Sequence, residues 1–515
     1  EGNPMTIEIE RRTLLQMLGL SVIGGGILTD SLPVLAQGTD SVTIGWPSDV
    51  PGWDPNLHFT PDAQPLYKLV FNQPLTQDPK LHLIPNLISK WEMAKDGLSL
   101  TAELRDDVTF QNGDKMTAED FRFTFFERLK SPLKLDIKNS WRKVKDIEIK
   151  SPTQVVMHFS APAPTAPQWL AFLGSYVVPK KYMEKVGEKT FAEKPVGTGA
   201  YKLVDYQLNA RTVLERNDHY WGPKPAIKRV TFEIIKDPSA RVAAVQSGQV
   251  DLTINVPVRE VKRLDRDPNI AGEINPITRV ILLQCRADKG FADQNIRLAA
   301  HHAINKKALS KAFYGGAAVP LSVPVTPGTP GYVPDFHFAY SPEEAKKLLA
   351  KSGYNTSKPA KITFGTTNGH FPSDYDIARA IQQMWKKVGI EAELQTLDYS
   401  KYFQLNRGGK LPDATLYSWD NATGDPEIFS GYLLSNKMPF SAFKDPKIGA
   451  MDSKLFGITD YDKRIEDYKK FEKFAVEYGA TIPLLQSVIT LARKKKLHYQ
   501  KYGNGWVLAS TMKWG

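Results

Sequence analysis

The chain has 515 residues, 67 Lys and Arg against 56 Asp and Glu, a formal net charge of +11 and a single cysteine. That length exceeds what one hydrophobic core supports, so two or three domains are predicted, and a lone Cys285 excludes an internal disulfide or a cysteine metal cluster. The basic residues are spread along the sequence, with Arg493, Lys494, Lys495 and Lys496 as the one compact run, so no nucleic-acid-binding face is predicted.

At the amino end, Arg11 and Arg12 precede a mildly apolar run over 14–28 and then the small residues Val34 and Ala36, the layout of a cleaved export signal. The paired arginines, with Gly24, Gly25 and Gly26 diluting the apolar run, favour the twin-arginine route over the general secretory one. The run is too short to span a bilayer comfortably, and no cysteine near the cleavage point offers a lipid anchor. Residues 1–36 are therefore read as a signal peptide. The mature chain, at +13 because 1–36 hold four acids and two arginines, is expected free in a Gram-negative periplasm.

A short apolar strand at 43–46 runs into a loop over 46–55 that carries Trp46 and Trp53. Residues 104–129 read as a strand, a turn at Asn112-Gly113, and a helix entered at Thr117 with Asp120 three residues on, a capping-box spacing. Further strands are predicted at 230–235 and 280–283, the latter leading to Cys285, which reads as a small buried hydrophobe. His301 and His302 are adjacent on a predicted helix, so they point about 100° apart and do not chelate one metal together. The proline-rich piece 319–334 reads as a long surface loop. Ser341, Pro342 and Glu344 open a helix that Gly353 closes, and 374–388 form a second, with Ile377, Ile381, Met384, Trp385 and Val388 on one face, feeding a strand at 390–394. The strand 414–417 runs into a loop over 418–426. Strands alternating with amphipathic helices give an α/β organisation.

No GxSxG elbow, HExxH helix, P-loop or strand-linked GxGxxG is present; the turn Gly197-Thr198-Gly199 lacks the third glycine. No enzyme and no cofactor are predicted. In open α/β sheets ligands sit beyond the carboxyl ends of strands, and sites favour the cleft between domains. The two loops that follow strands, 46–55 and 418–426, therefore supply the candidate ligand-binding residues. These are Trp46, Trp53, Tyr417 and Trp419 for flat apolar contact and Asp420 and Asn421 for orienting polar contact.

The segment LRDDVTFQNGDKMTAEDFRFTFFERL at 104–129 closely resembles a signature segment of the extracellular solute-binding proteins of family 5, the peptide, dipeptide, nickel and opine receptors of ABC importers. The family's Asp-Gly turn is here Asn112-Gly113. Other family-like segments follow in order, among them IPNLISKWEMAKDGLSLTAELR, YVVPKKYMEK, VGTGAYKL, ERNDHYWG and RLAAHHAINKKAL. The resemblance covers residues 43–485 and implies a type II periplasmic binding protein with two lobes and an extra inserted domain, the three-domain, cluster C type. It implies a discontinuous lobe of 37–80, 190–284 and 485–515, an inserted domain of 81–189, and a second lobe of 285–484, hinged at two crossings near 284 and 485. The implied protein is a monomer that captures a small or medium organic solute, peptide-like or other, and delivers it to the transmembrane subunits of an ABC permease. In the dipeptide-type receptors an Asp three residues before the Asp of a Gly-Asp-Pro turn pairs with the peptide amine; counting back from Asp425 gives Ala422, so Asp420 is the nearest substitute. The competing reading is a periplasmic enzyme or cofactor-carrying protein exported folded by the twin-arginine route.

Overall fold

In the computed structural model residues 40–515 are described, apart from Phe59, Ala422, Pro439 and Phe440. The signal-peptide reading of 1–36 and the position at Ala422 lie outside the described residues. Thr39–Gly515 is one compact unit, and no helix among the described residues is long and apolar enough to cross a membrane.

Two long antiparallel strands, Ile270–Cys285 and Thr481–Lys494, run side by side through the middle of a ten-stranded mixed sheet. On one flank lie Leu252–Ile254, Ser41–Trp46, Arg229–Ile234, Arg211–Arg216 and Tyr201–Gln207, and on the other Ala414–Trp419, Ala360–Thr366 and Ile390–Thr396. Ser41–Trp46 is parallel to both its neighbours, as Ala360–Thr366 is to its own. The pairing of the two long strands breaks register between Pro276 and Val280 and again between Ile281 and Leu282. A separate four-stranded antiparallel sheet takes the order Ile88–Met93, Ser99–Leu104, Gln154–Phe159, Val144–Ser151. The buried apolar side chains fall into three main clusters. One draws on Val280 to Val488, a second on stretches around Val42–Phe71, Tyr176–Ile254 and Leu491–Met512, and a third on Leu75 to Val177 together with the distant Ile428.

Local sequence signals account for many element ends. Thr117 Oγ1 accepts from the backbone of Glu119, and Asp120 Oδ2 accepts from Thr117 N at 2.9 Å, the reciprocal capping box expected from the spacing. The helix continues past Ala118–Arg122 through a wide π-type turn at Phe123–Glu127. The strand expected to lead into it is shorter: Ser99–Leu104 ends early, and the Asn112-Gly113 turn is bracketed by a single bridge between Thr109 and Lys115. Ser341 caps Pro342–Lys351 through its hydroxyl to Glu344 N at 3.2 Å. Asp374–Lys386 buries Ile377, Ala378, Ile381 and Trp385. At Gly197 and Gly199 close packing explains the small residue: a Cβ would meet Val70 O at 2.1 Å and Leu69 O at 2.4 Å.

One expectation is corrected. The piece 319–334 is a loop, as expected, but its middle is not at the surface: Leu321, Val323 and Val325 are at most 1% exposed, while Val319, Gly328 and Pro334 are exposed. Leu321 N donates to Leu484 O and Gln486 N to Val319 O, at 3.0 and 2.7 Å, so the segment lies along the long strand Thr481–Lys494. Cys285 is buried, and desolvation pushes its thiol up to about 12, consistent with a packing role. His301 is 1% exposed, stacks on Phe338 at 3.6 Å and meets Lys306 Nζ at 2.8 Å, while His302 Nδ1 faces Ala339 O.

Candidate functional site

The strand Ala414–Trp419 pairs with Ile270–Cys285 so that Trp419 lies opposite Val280 and Tyr417 opposite Leu282. This register carries Tyr417, Ser418, Trp419 and Asp420 to the wall of a cavity of about 330 Å³. Trp169 and Phe172 reach the same cavity from just beyond the four-stranded sheet, and Phe403 and Tyr432 reach it from either side of the strand in sequence. Arg142, Arg279, Asp136 and Met438 complete its polar and soft edges.

A larger cavity, of about 1350 Å³, shares Thr60, Pro61 and Arg279 with the first. Its lining comes from loops and helix starts that follow strands: Pro47 to Pro51, Lys236 to Arg241, Asn255 to Lys262 and Thr367 to Asp376. Two buried charged residues hold those loops. Arg241 donates to the carbonyls of Ile254, Asn255, Ile235 and Lys236 at 2.8 to 3.0 Å, tying two strand ends together. Asp374 accepts from Thr367 Oγ1 and from the backbone of Gly369, His370 and Tyr375 at 2.7 to 3.0 Å, which fixes the facing loop. Each such network is expensive to open, because every donor or acceptor released stays buried. Together the two cavities form a cleft with stiffened rims.

The wall itself is aromatic. Tyr417 stacks on Tyr402 with ring centres 4.3 Å apart and planes 11° from parallel, and meets Trp419 edge to face at 6.0 Å. Trp169 lies 5.5 Å from Tyr432 and 4.9 Å from Phe172. Tyr402 Oη donates to Gln284 Oε1 at 2.5 Å, which ties this wall to the central strand. Arg142 turns both terminal nitrogens toward Met438 Sδ at 3.5 and 3.6 Å. Burial raises the Asp420 carboxyl above its ordinary range, with Arg279 pulling it back and Asp62 adding to the rise. His370 is pushed down to about 3 by burial, with Arg279 opposing its charge as well, so the ring is neutral at physiological pH.

The six residues singled out from the sequence separate into two groups. Tyr417, Trp419 and Asp420 line the smaller cavity. Trp46 and Trp53 line neither cavity: they are 2% and 0% exposed and belong to the core around Val42–Phe71. Trp46 Nε1 donates to Asp62 O at 3.1 Å and its ring meets Phe232, while Trp53 packs edge-on against Tyr67 and Tyr206. For Trp53 the cause is Arg128, 2% exposed, which pairs with Asp54 through both terminal nitrogens at 2.6 and 3.2 Å and reaches Asn56 and Glu188 at 2.6 Å. That clamp draws the residue after Trp53 into the interior, and the indole follows. The loop reaches the larger cavity through Pro47, Ser48, Asp49 and Pro51 instead. Asn421 is 2% exposed and lines neither cavity. Trp169, Tyr432, Arg142 and Arg279 were not singled out from the sequence; Arg279 directly precedes the apolar run at 280–283, where a search confined to the carboxyl ends of strands does not look.

Known proteins share this fold. The model of the bacterial extracellular solute-binding proteins, family 5, matches residues 82–439. The nickel-binding periplasmic protein of Escherichia coli is 27% identical, over 86% of this chain and 85% of its own length. The dipeptide-binding protein of the same species is 26% identical, over 94% and 95%. Among solved structures, a periplasmic binding protein from Helicobacter pylori in complex with the peptide STSA superposes with a TM-score of 0.81 at 22% identity, covering 92% of this chain and 98% of that one. A protein from Staphylococcus aureus in complex with Ni(L-His)2 gives 0.78 at 22% identity, covering 92% and 100%. The fold is that of a type II periplasmic binding protein, and the chain belongs to the bacterial extracellular solute-binding proteins, family 5.

Proposed function

We propose that this chain is the periplasmic substrate-binding component of an ABC importer, which holds a small or medium organic solute in the cleft and releases it unchanged to the transmembrane subunits. The observation that carries this reading is the wall Tyr417–Trp419–Asp420, set at the end of a central-sheet strand and faced by Trp169 and Tyr432 across a cavity of about 330 Å³. Flat apolar surfaces with a few orienting polar groups suit capture and release, since contact area supplies affinity without a covalent step.

The division of labour is the one the family resemblance implies. Residues 37–80, 190–284 and 485–515 make one lobe, 81–189 its inserted domain and 285–484 the other lobe, with the crossings near 284 and 485 as the hinge. Contacts from both sides of the cleft exist together only when it is shut, so the solute shifts the population toward a closed form that the permease reads. The protein works as a monomer after export and removal of 1–36. Support comes from relatives that are a nickel-binding periplasmic protein and a dipeptide-binding protein, and the family description is one of solute binding.

The test is a thermal-shift screen of the purified mature chain against a broad metabolite library, followed by calorimetry on the hits. One narrow group of solutes should raise the melting temperature by a margin that grows with free concentration. Turnover of any compound would overturn the reading.

A further inference from the structure

The lining of the smaller cavity limits what the solute can be, an inference that rests on the capture role above. Six aromatic side chains, Trp169, Phe172, Phe403, Tyr417, Trp419 and Tyr432, share a space of about 330 Å³. Aromatic rings gain from edge-to-face and offset contact beyond the area they bury, so such a lining favours a flat ring over an aliphatic chain of equal size. The volume sits at the lower end for small-molecule sites, enough for one compact molecule.

Charge and hydrogen bonding narrow the class further. The charged lining residues are Asp136 and Asp420 against Arg142 and Arg279, which balance, so a solute with net charge would enter without compensation. Asp420 is half-buried in the cavity wall, so its carboxylate offers an acceptor among the aromatic rings. A hydrogen-bond donor on the solute would partner it. We propose that the captured solute is a flat, aromatic-bodied molecule without net charge that donates a hydrogen bond to Asp420, with its ring among the six aromatic side chains.

The test is calorimetry with four probes: tyrosol and tryptophol, which carry an aromatic ring and a hydroxyl; cyclohexylethanol, which keeps the hydroxyl and loses the aromaticity; and dialanine, which has donors and no ring. The wild type should bind the two aromatic alcohols at least about tenfold more tightly than the other two, a difference of about 1.4 kcal/mol. Asp420→Ala and Phe403→Leu should each weaken that binding about tenfold while the melting temperature without probe stays near that of the wild type; should Phe403→Leu fail to fold, Trp419→Leu replaces it. If dialanine or cyclohexylethanol binds as tightly as tyrosol, the inference is overturned and the capture role stands. If no probe binds, native mass spectrometry of protein purified from its host decides. A retained aromatic, uncharged molecule upholds the inference, an aliphatic or charged one overturns it alone, and no retained molecule overturns the capture role as well.

Discussion

The loops after Ser41–Trp46 and after Ala414–Trp419 look alike in sequence and behave differently in the structure. Each follows a strand of the same sheet, carries a tryptophan and an acid, and ends in a buried arginine clamp. Arg128 holds Asp54 through both oxygens, and Arg464 holds Asp425 at 2.8 and 2.6 Å. The spacing differs. Asp54 directly follows Trp53, so the indole is drawn into the core with it. Asp425 lies six residues beyond Trp419, so the clamp fixes the far end of the loop and leaves Trp419 at the cavity wall. Trp53 is thus packed by the anchor beside it, whereas Trp46, which ends its strand as Trp419 does, is buried against Phe232.

The largest expected effect comes from breaking the first clamp. Arg128→Met leaves Asp54 buried without its cation and should lower stability by roughly 3–5 kcal/mol in denaturant titration, the usual cost of removing one partner of a buried pair. Solute affinity of the folded variant should change little, since Arg128 lines neither cavity. A large loss of affinity at unchanged stability would place the first loop in the binding surface after all.

Next in size is a pH effect behind the second loop. Asp452 is 0% exposed and pushed up to about 8 by burial, with Glu427 adding to the rise and Ser435 and Lys437 opposing it. Glu427 itself is pushed up to about 7. A carboxyl whose folded value lies above its unfolded one contributes stability in full below the unfolded value, here 3.8, and loses it as pH rises toward the folded value, about 8. Asp452→Asn mimics the protonated form at all pH values. The variant should match the wild type in acid and gain on it through this window, by on the order of a few kcal/mol at the alkaline end. Parallel stability curves for the two proteins would show that Asp452 ionises freely in the fold.

Smaller again is the closure signal. Solution scattering should show a more compact particle when solute is bound, because contacts to both sides of the cleft form only in the closed state. An unchanged scattering curve at saturating solute would remove the two-lobe mechanism while leaving binding intact.

The sequence exposed those parts of the fold that local chemistry dictates. Thr117 with Asp120, and Ser341 with Pro342, mark helix starts because a cap needs only neighbours a few residues away. The face of Asp374–Lys386 was readable from its own periodicity. Leu321, Val323 and Val325 are buried in a run of bends because the chain there packs beside the distant strand Thr481–Lys494, which Pro320 and Pro324 do not reveal locally. At the site, Tyr417, Trp419 and Asp420 were legible because they follow directly from a recognisable strand. Trp169 and Arg142 come from segments more than 200 residues earlier, and nothing in their local pattern marks which cavity they will meet. The burial of Trp53 was hidden for a related reason: its cause, Arg128, sits 74 positions from Asp54.

The central claim, that Trp419 of one loop meets the solute while Trp53 of the other packs the core, is tested most directly by titrating the tightest solute into Trp419→Ala and Trp53→Ala side by side. Trp419→Ala should lose roughly 1–3 kcal/mol of binding with the fold intact, through lost apolar contact. Trp53→Ala should lose roughly 3–5 kcal/mol of stability, as a buried aromatic does, with affinity kept in the folded fraction. Unchanged affinity in Trp419→Ala beside a lowered melting temperature, or lost affinity in a fully folded Trp53→Ala, would contradict the account.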